Sequence, residues 1–151
     1  MYKTILVPLD GSKRAERILP YVEKLALGFD SKVVFLQVVE TDFVYTSPYS
    51  YYTDAGLEKA EREKLKAEAE ACLGGLQGEF CEKGIQARFL VSEGSVVRTI
   101  IKVAEREGAD LIAMASHGRT GLARVFYGSV AAGVLHRVDR PLLIIRSEGE
   151  G

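Results

Sequence analysis

Five short apolar runs alternate with longer amphipathic segments along this chain of 151 residues. An unbroken apolar run of about four to eight residues is typical of a strand buried on both faces of a parallel sheet. The pattern predicts five such strands, at residues 4–9, 33–39, 86–91, 111–114 and 142–145. The third run mixes polar and apolar positions, which favours a place at an edge of the sheet.

Apolar residues recur at helical spacing between these strands, and they predict four helices. The first helix ends near Gly28, because glycine is common just after a helix. The second carries its apolar face over residues 65–80, and the third runs from a Ser95 cap to Gly108. The last covers residues 130–138, and we expect it to bury Val130, Val134, Leu135 and Val138.

Strands that alternate with helices from end to end indicate an α/β domain, in which helices cover both faces of a parallel sheet. The length of the chain fits a single domain. Ligands of such sheets bind beyond the carboxyl ends of the strands, where the strand order reverses. The pattern leaves that order open, but it brings four groups to the carboxyl end: Asp10, Val38, residues 92–94 and residues 115–118.

Composition and charge exclude several classes of function. The chain carries 20 basic and 21 acidic residues, a net charge of −1, which gives no global electrostatic reason to bind nucleic acid. No apolar run reaches the roughly 20 residues of a membrane span. The first residues lead into a strand without the features of a signal peptide, so we expect a cytoplasmic protein that does not bind membranes.

The cysteine and histidine residues predict neither a disulfide nor a metal site. Cys72 and Cys81 fall in one predicted helix, where their separation corresponds to about 13.5 Å of rise. A disulfide needs Cα atoms within roughly 7 Å, so none is expected between them. His117 and His136 are too far from the cysteines for the usual spacing of metal ligands.

A glycine-rich stretch after the fourth strand is the strongest candidate for a binding site. Residues 115–121 read Ala-Ser-His-Gly-Arg-Thr-Gly, and Gly128-Ser129 follow at the start of the last helix. Glycines let backbone N–H groups turn inward, and a helix start adds unpaired N–H donors with a partial positive charge. This combination predicts a phosphate site, although tight turns alone would also use glycine.

Familiar catalytic and phosphate motifs are missing from the sequence. It contains neither a P-loop nor a dinucleotide-binding glycine fingerprint, and no serine stands in a nucleophile elbow. Asp10 could bind a ribose hydroxyl or an adenine amine, or could serve the Asp-Gly turn alone. His117 could act as a base or contact phosphate, but packing within the loop is the commoner role. Arg119 and Arg124 could pair with phosphate or lie in solvent.

Residues 43–52 hold five aromatic side chains between the second strand and the second helix. Such a segment could form a lid over a base, offer a surface to a partner protein, or fold its rings onto the domain. It contains no lysine or arginine, which argues against binding to single-stranded nucleic acid.

Two motifs, taken together, resemble the universal stress protein family over essentially the whole chain. The first is Ile-Leu-Val-Pro-Leu-Asp-Gly-Ser at residues 5–12. The second is Ser-His-Gly-Arg-Thr-Gly at residues 116–121, followed by Gly-Ser-Val at 128–130 and Arg-Pro-Leu-Leu at 140–143. Their order and separation along the chain make the resemblance specific.

The resemblance implies a fold and an assembly. The expected fold is a three-layer α/β/α domain over residues 1–147 with a flexible tail at 148–151. It is the Rossmann-like fold of adenine nucleotide alpha hydrolases, a five-stranded parallel sheet in the order 3-2-1-4-5. The family also implies a homodimer through the last strand, which here carries Leu142, Leu143, Ile144 and Ile145. An apolar edge strand is a liability unless it is paired, which agrees with a dimer.

One branch of the family binds ATP through a glycine, two residues, a glycine, nine residues and then Gly-Ser or Gly-Thr. Gly118, nine residues and Gly128-Ser129 match this pattern, whereas Ala115 stands at the first glycine position. The resemblance implies Mg or Mn with the phosphates, and adenosine held at Asp10 and near Val38. The implied nucleotide-binding residues are Pro8, Leu9, Asp10, Val38, Ala115, Ser116, His117, Gly118, Arg119, Gly128, Ser129 and Val130.

The function implied by the resemblance is a dimeric, ATP-binding regulator of the stress response with an unknown protein partner. Two alternatives stay open. The protein could be a slow ATP hydrolase, although only His117 and Asp10 offer a base. It could also belong to the branch that binds no nucleotide and acts as an interaction module, for which Ala115 and the aromatic segment are the support.

Overall fold

The computed structural model describes residues 1–40, 55–116 and 128–146, with the backbone alone at 55–57. Five strands form one parallel sheet in the order β3-β2-β1-β4-β5. Both the parallel sheet and the strand order expected from the resemblance are confirmed. The elements are β1 Thr4–Leu9, a 3-10 helix Ala15–Ile18, α1 Leu19–Phe29, β2 Lys32–Glu40, α2 Ala55–Glu82, β3 Ala87–Gly94, α3 Val96–Glu107, β4 Leu111–Ala115, α4 Ser129–Arg137 and β5 Leu142–Ile145.

The core lies in two layers because side chains alternate between the two faces of each strand. On one face, α1 and α2 cover the odd-numbered strand residues, with Val7, Val22, Phe35, Leu73 and Ala113 in this layer. On the other face, α3 and α4 cover the even-numbered residues, with Leu6, Leu36, Ile100, Ile112 and Val134 in this layer. The chain therefore leaves β1 toward one face of the sheet and leaves β4 toward the other.

Two predicted helix details are wrong, each for a local reason. Helix α1 continues through Gly28, and Asp30 ends it in the left-handed conformation at φ 57°, which a short polar side chain tolerates. Leu135 on α4 is 45% exposed, because Ala131 and Val134 take the inward positions of that helix. By contrast, α3 ends at a left-handed Gly108, as predicted.

Asp110 joins the amino ends of β1 and β4. Its carboxylate oxygens accept hydrogen bonds from the backbone N–H groups of Lys3 and Thr4, at 2.9 and 3.0 Å. Burial by itself raises the pKa of this carboxyl group. The backbone hydrogen bonds from Thr4 and Lys3 outweigh that effect, so the pKa of Asp110 lies below its ordinary value.

We expect Asp110→Asn to lower the free energy of unfolding by about 1 kcal/mol at neutral pH. Because the pKa is depressed in the folded protein, the stabilisation is complete above the unfolded-state pKa of about 3.9. It is lost as the pH falls from there through the folded-state pKa. Urea denaturation between pH 7 and pH 3 should show the gap to wild type closing, whereas exposed Asp30→Asn should differ little throughout. A gap that stays constant down to pH 3 would contradict this account.

Arg140, part of the C-terminal family-like motif, serves the fold. Its Nη1 donates to the carbonyl oxygens of Ala104 and Ala109, at 3.0 and 2.7 Å. The Ala104 carbonyl lies in the last turn of α3, where it also accepts from the backbone N–H groups of Gly108 and Ala109, and the Ala109 carbonyl lies in the turn that follows. The guanidinium therefore holds the end of α3 beside the start of β5.

Candidate functional site

The carboxyl edge of the sheet opens between β1 and β4. Their ladder is paired only at Ile5–Leu111 and Leu6–Ile112, whereas β1 stays paired with β2 as far as Leu9–Gln37. Pro8 explains the difference. The backbone of Thr4 bonds toward β4, so alternation turns the backbone of Pro8 the same way, and proline has no N–H to donate. The strand order reverses at this gap, which is where open α/β sheets bind ligands.

Asp10 begins the turn that leads from β1 to the first helix. Its Oδ1 accepts hydrogen bonds from the backbone N–H and the hydroxyl of Ser12, at 2.9 and 2.6 Å. Gly11 has φ +86°, a conformation that favours glycine. The turn role that the sequence left open for Asp10 is therefore real, and it fixes the carboxylate at the mouth of the gap.

The edge is stepped, because β2 and β3 extend beyond the end of β1. Their pairing continues to Glu40–Gly94, three residues past the last β1–β2 pair. The backbone hydrogen-bonding groups of β2 point alternately toward β1 and β3. The N–H of Lys32 donates to the carbonyl of Lys3, just before β1, and the N–H of Val33 donates to the carbonyl of Gln86, just before β3. Even-numbered residues of β2 thus turn their backbone toward β1.

Val38 is the even-numbered residue of β2 at this step. Its carbonyl group points to the β1 side of β2, beyond the last β1–β2 pair. The backbone of Glu40, two residues later, points to the same side. Backbone N–H and C=O groups at such a step can form hydrogen bonds with the edge of a planar base, which carries donors and acceptors in one plane.

At β4 and α4 the edge is built differently. Ala115 and Ser116 are buried, and the Ser116 N–H donates to Ile145 of β5 at 2.8 Å. Gly128 precedes α4 at φ 22° and is its cap residue, while Ser129 is the exposed first residue of the helix. Within the described residues no side chain caps this helix start, so Ser129 is not the cap. Its first turn presents backbone N–H donors at the edge.

The structure thus brings together at one edge of the sheet the ends of three strands and the residues that follow them: Pro8, Leu9 and Asp10 at the end of β1, Val38 in β2, and Ala115 and Ser116 at the end of β4. Gly128, Ser129 and Val130 begin the helix that follows β4 along the chain. His117, Gly118 and Arg119, like the aromatic segment 43–52, lie outside the described residues. Their predicted roles stay predictions.

Sequence reasoning missed one polar side chain at this edge. Gln37 lies within the apolar run of β2, and its Oε1 is buried without a hydrogen-bond partner in the part of the chain that the structure describes. A Cβ added at Gly11 would lie 3.6 Å from its Nε2. Leaving a buried acceptor unpaired costs about 1–3 kcal/mol. A polar residue inside an otherwise apolar strand was the available signal.

Metal and thiol chemistry find little support among residues 1–40, 55–116 and 128–146. No group of three His, Cys, Asp or Glu residues there could hold a metal ion. Cys72 and Cys81 are both free cysteines of α2. Burial raises the pKa of the Cys72 thiol, and nearby Glu16 raises it further, which disfavours the reactive thiolate.

None of the described helices has the length and apolar character that crossing a membrane requires.

The fold defines a Rossmann-like α/β protein, a class whose ligands bind at the switch point of the sheet. The universal stress protein family model matches residues 1–146, and the chain belongs to that family. A similar relative is universal stress protein MJ0577 of Methanocaldococcus jannaschii, 32% identical over 97% of this chain and 96% of the relative.

Solved structures share the fold of this chain. The MJ0577 structure superposes with a TM-score of 0.84 at 28% identity, covering 99% of each chain. UspA of Lactobacillus plantarum gives 0.83 at 23% identity, covering 96% of this chain and 98% of that one. Two more distant structures with the same fold are described as complexes, one with cAMP and one, from Arabidopsis thaliana, with AMP bound.

Proposed function

We propose that this chain is an ATP-binding universal stress protein that acts as a homodimeric regulator in the cytoplasm, with its nucleotide state altering the binding of a partner protein. One observation carries the proposal. A gap lies between β1 and β4 where their pairing stops before Pro8. On one side of the gap is the Asp10 turn that follows β1. On the other side is β4, which is followed along the chain by α4, a helix whose start has no side-chain cap.

The order of the strands gives the order of the nucleotide's parts. Phosphates would lie by β4 and the start of α4, against the N–H groups of Gly128, Ser129 and Val130. The ribose would lie above β1 at Asp10, and the base at the β2 step beside Val38. Neighbouring strands are about 4.8 Å apart, so this path spans about 10 Å, which suits an extended nucleotide.

The complexes of structures with this fold with cAMP and AMP support an adenine nucleotide as the ligand. A divalent cation, Mg or Mn, would come with the phosphates of ATP, since the described residues offer no metal-binding cluster of their own. His117, Gly118 and Arg119 would complete the phosphate site, as the sequence pattern predicts.

Ala115 is compatible with this assignment. Alternation along β4 places its methyl group on the α1/α2 face of the sheet, together with Leu111 and Ala113. The phosphate site at the start of α4 belongs to the opposite face. The methyl group of Ala115 is therefore buried in the protein and does not face the phosphate site.

The alternative of a slow ATP hydrolase finds less support. A general base must be positioned to take a proton from water, and Oδ1 of Asp10 already accepts two hydrogen bonds from Ser12. The interaction module that binds no nucleotide remains the competing function, and binding measurements decide between them.

Calorimetric titration with ATP and magnesium tests the proposal directly. Protein shown to be free of copurified nucleotide should bind one ATP per chain with micromolar or tighter affinity. Absence of binding heat at several temperatures would refute the nucleotide site, and would favour the interaction module with the aromatic segment as its surface.

A further inference from the structure

We propose that Ser12 is a positioning residue of the nucleotide site, which orients the Asp10 carboxylate toward a ribose hydroxyl and thereby favours ribonucleotides over deoxyribonucleotides. The inference rests on the proposed function and extends it from the nucleotide to the recognition of its sugar. The residues that the family resemblance implies for nucleotide binding include Asp10 but not Ser12.

The first support is a chain of hydrogen bonds whose direction is fixed. The backbone N–H of Ala15 donates to Oγ of Ser12 at 3.1 Å, and the same Oγ lies 2.6 Å from Oδ1 of Asp10. An ionised carboxylate can only accept, so the Ser12 hydroxyl donates its hydrogen to Asp10. The backbone N–H of Ser12 donates to the same oxygen at 2.9 Å. Ser12 therefore holds Oδ1 through two donors.

The second support is the effect of this restraint on the carboxylate. The terminal torsion of aspartate is broad, so the side chain alone does not fix the direction of its oxygens. Holding Oδ1 of Asp10 in place also fixes the position of its second oxygen. A carboxylate can accept about four hydrogen bonds, so the two from Ser12 still allow one from a ribose hydroxyl. Asp10 is only half-buried, and the proposed path of the nucleotide places the ribose beside it.

The third support is the anchor at the other end of this chain of hydrogen bonds. Ala15 begins the 3-10 helix and is buried in the core layer that α1 and α2 cover. The Ser12 carbonyl also accepts from the backbone N–H of Glu16 at 3.4 Å. Ser12 is thus tied to the packed start of the helix, whereas Asp10 lies on the ligand side. A binding side chain is held precisely only when the groups that support it are themselves fixed.

The test compares the binding of ATP with that of 2′-deoxy-ATP and 3′-deoxy-ATP, each of which lacks one ribose hydroxyl. Wild-type protein should bind at least one analogue about tenfold more weakly than ATP, because a hydrogen bond to a charged group is lost. Ser12→Ala should lose most of this preference, chiefly through weaker binding of ATP. Ser12→Thr keeps the hydroxyl and should keep the preference.

Three measurements separate this role from that of a helix cap, which Ser12 also fills. Ser12→Ala should lower the nucleotide-free melting temperature by about 2–4 °C, the usual effect of a lost cap. Asp110→Asn removes a comparable stabilisation at the opposite end of the sheet and should leave the preference for ATP unchanged. In Asp10→Ala, where the carboxylate is already absent, adding Ser12→Ala should cause no further loss of ATP affinity.

The outcomes are distinct. A wild-type preference in Ser12→Ala, or an additive loss in the double variant, would overturn the positioning role and leave Ser12 as a helix cap alone. A wild-type protein that binds ATP and both deoxy analogues equally would overturn the contact of Asp10 with the ribose, and the inference with it, but not the nucleotide site. A wild-type protein that binds none of the three nucleotides would refute the proposed function itself.

Discussion

Replacing Gly133 with alanine is expected to lower the free energy of unfolding by about 1–3 kcal/mol, although alanine is the better helix former. Gly133 lies on α4 where that helix packs against α3. A Cβ there would lie 2.7 Å from Cγ2 of Val97, 3.3 Å from Cγ1 and 3.5 Å from its Cβ. Rotating the short, branched valine side chain exchanges one close contact for another, so the helices themselves must separate.

The same change should weaken the binding of ATP. The start of α4 carries Gly128 and Ser129, and the contact between Gly133 and Val97 sets how closely α4 lies against α3. A helix displaced by even a few tenths of an ångström carries its N-terminal donors with it. Chemical denaturation and calorimetric titration of Gly133→Ala should therefore both show losses.

Gly75→Ala is the matched control for this prediction. Gly75 is also a helix glycine, on α2, but a Cβ there would have nothing within 4 Å. Alanine at that position should stabilise the protein by up to about 1 kcal/mol and leave ATP affinity unchanged. If both variants stabilise the protein equally, the close contact between α3 and α4 is not a constraint in solution.

Hydrophobic pattern was sufficient for the elements of the fold, because β1, β2 and β4 are apolar runs that the sheet buries, and the half-buried edge strands β3 and β5 still carry runs of apolar residues. The strand order needed the resemblance, since alternation alone is compatible with several orders. The wrong predictions fell at positions where two nearby residues could both fill the same structural role. Asp30 rather than Gly28 ends α1, because the short side chain of aspartate tolerates the left-handed conformation. Leu135 has helical spacing but points away from the layer that Val134 enters.

The sequence was enough to predict which edge of the sheet carries the candidate site, but it predicted fewer of the individual backbone and side-chain groups at that edge. Motif spacing places Asp10 and Gly128 at the carboxyl end of the sheet. The gap at Pro8 and the step at Val38 depend on where each ladder stops, which only the register of the strands reveals. A polar residue within the apolar run of β2 was the only sequence signal for Gln37, and the unpaired state of its Oε1 is a property of the packed structure.

The wild-type protein is expected to sediment as a dimer that pairs through the outer edge of β5. This strand ends the sheet, and all four of its residues are only half-buried in the single chain. Ser116 donates to Ile145 and Ile112 to Pro141, so odd-numbered residues bond toward β4. The backbone groups of Leu142 and Ile144 therefore face outward, and Leu135 of α4 adds an exposed apolar side chain.

Ile144→Pro should dissociate this dimer. Proline removes an outward N–H and leaves the bonds between β4 and β5 in place, a substitution that edge positions tolerate. The interface of a two-fold dimer contains each residue twice, so two lost hydrogen bonds at about 1–1.5 kcal/mol each weaken association about a hundredfold. Ile144→Val retains the donor and should stay dimeric.

Sedimentation velocity at several concentrations separates the outcomes, with circular dichroism to confirm that each variant is folded. Leu135→Glu gives a second test on a side chain that is exposed in the single chain, so that loss of folding is not expected. A folded Ile144→Pro protein that remains dimeric would move the interface away from β5. A wild-type protein that sediments as a monomer at tens of micromolar would contradict the dimer itself, and the apolar edge of β5 would then need another partner.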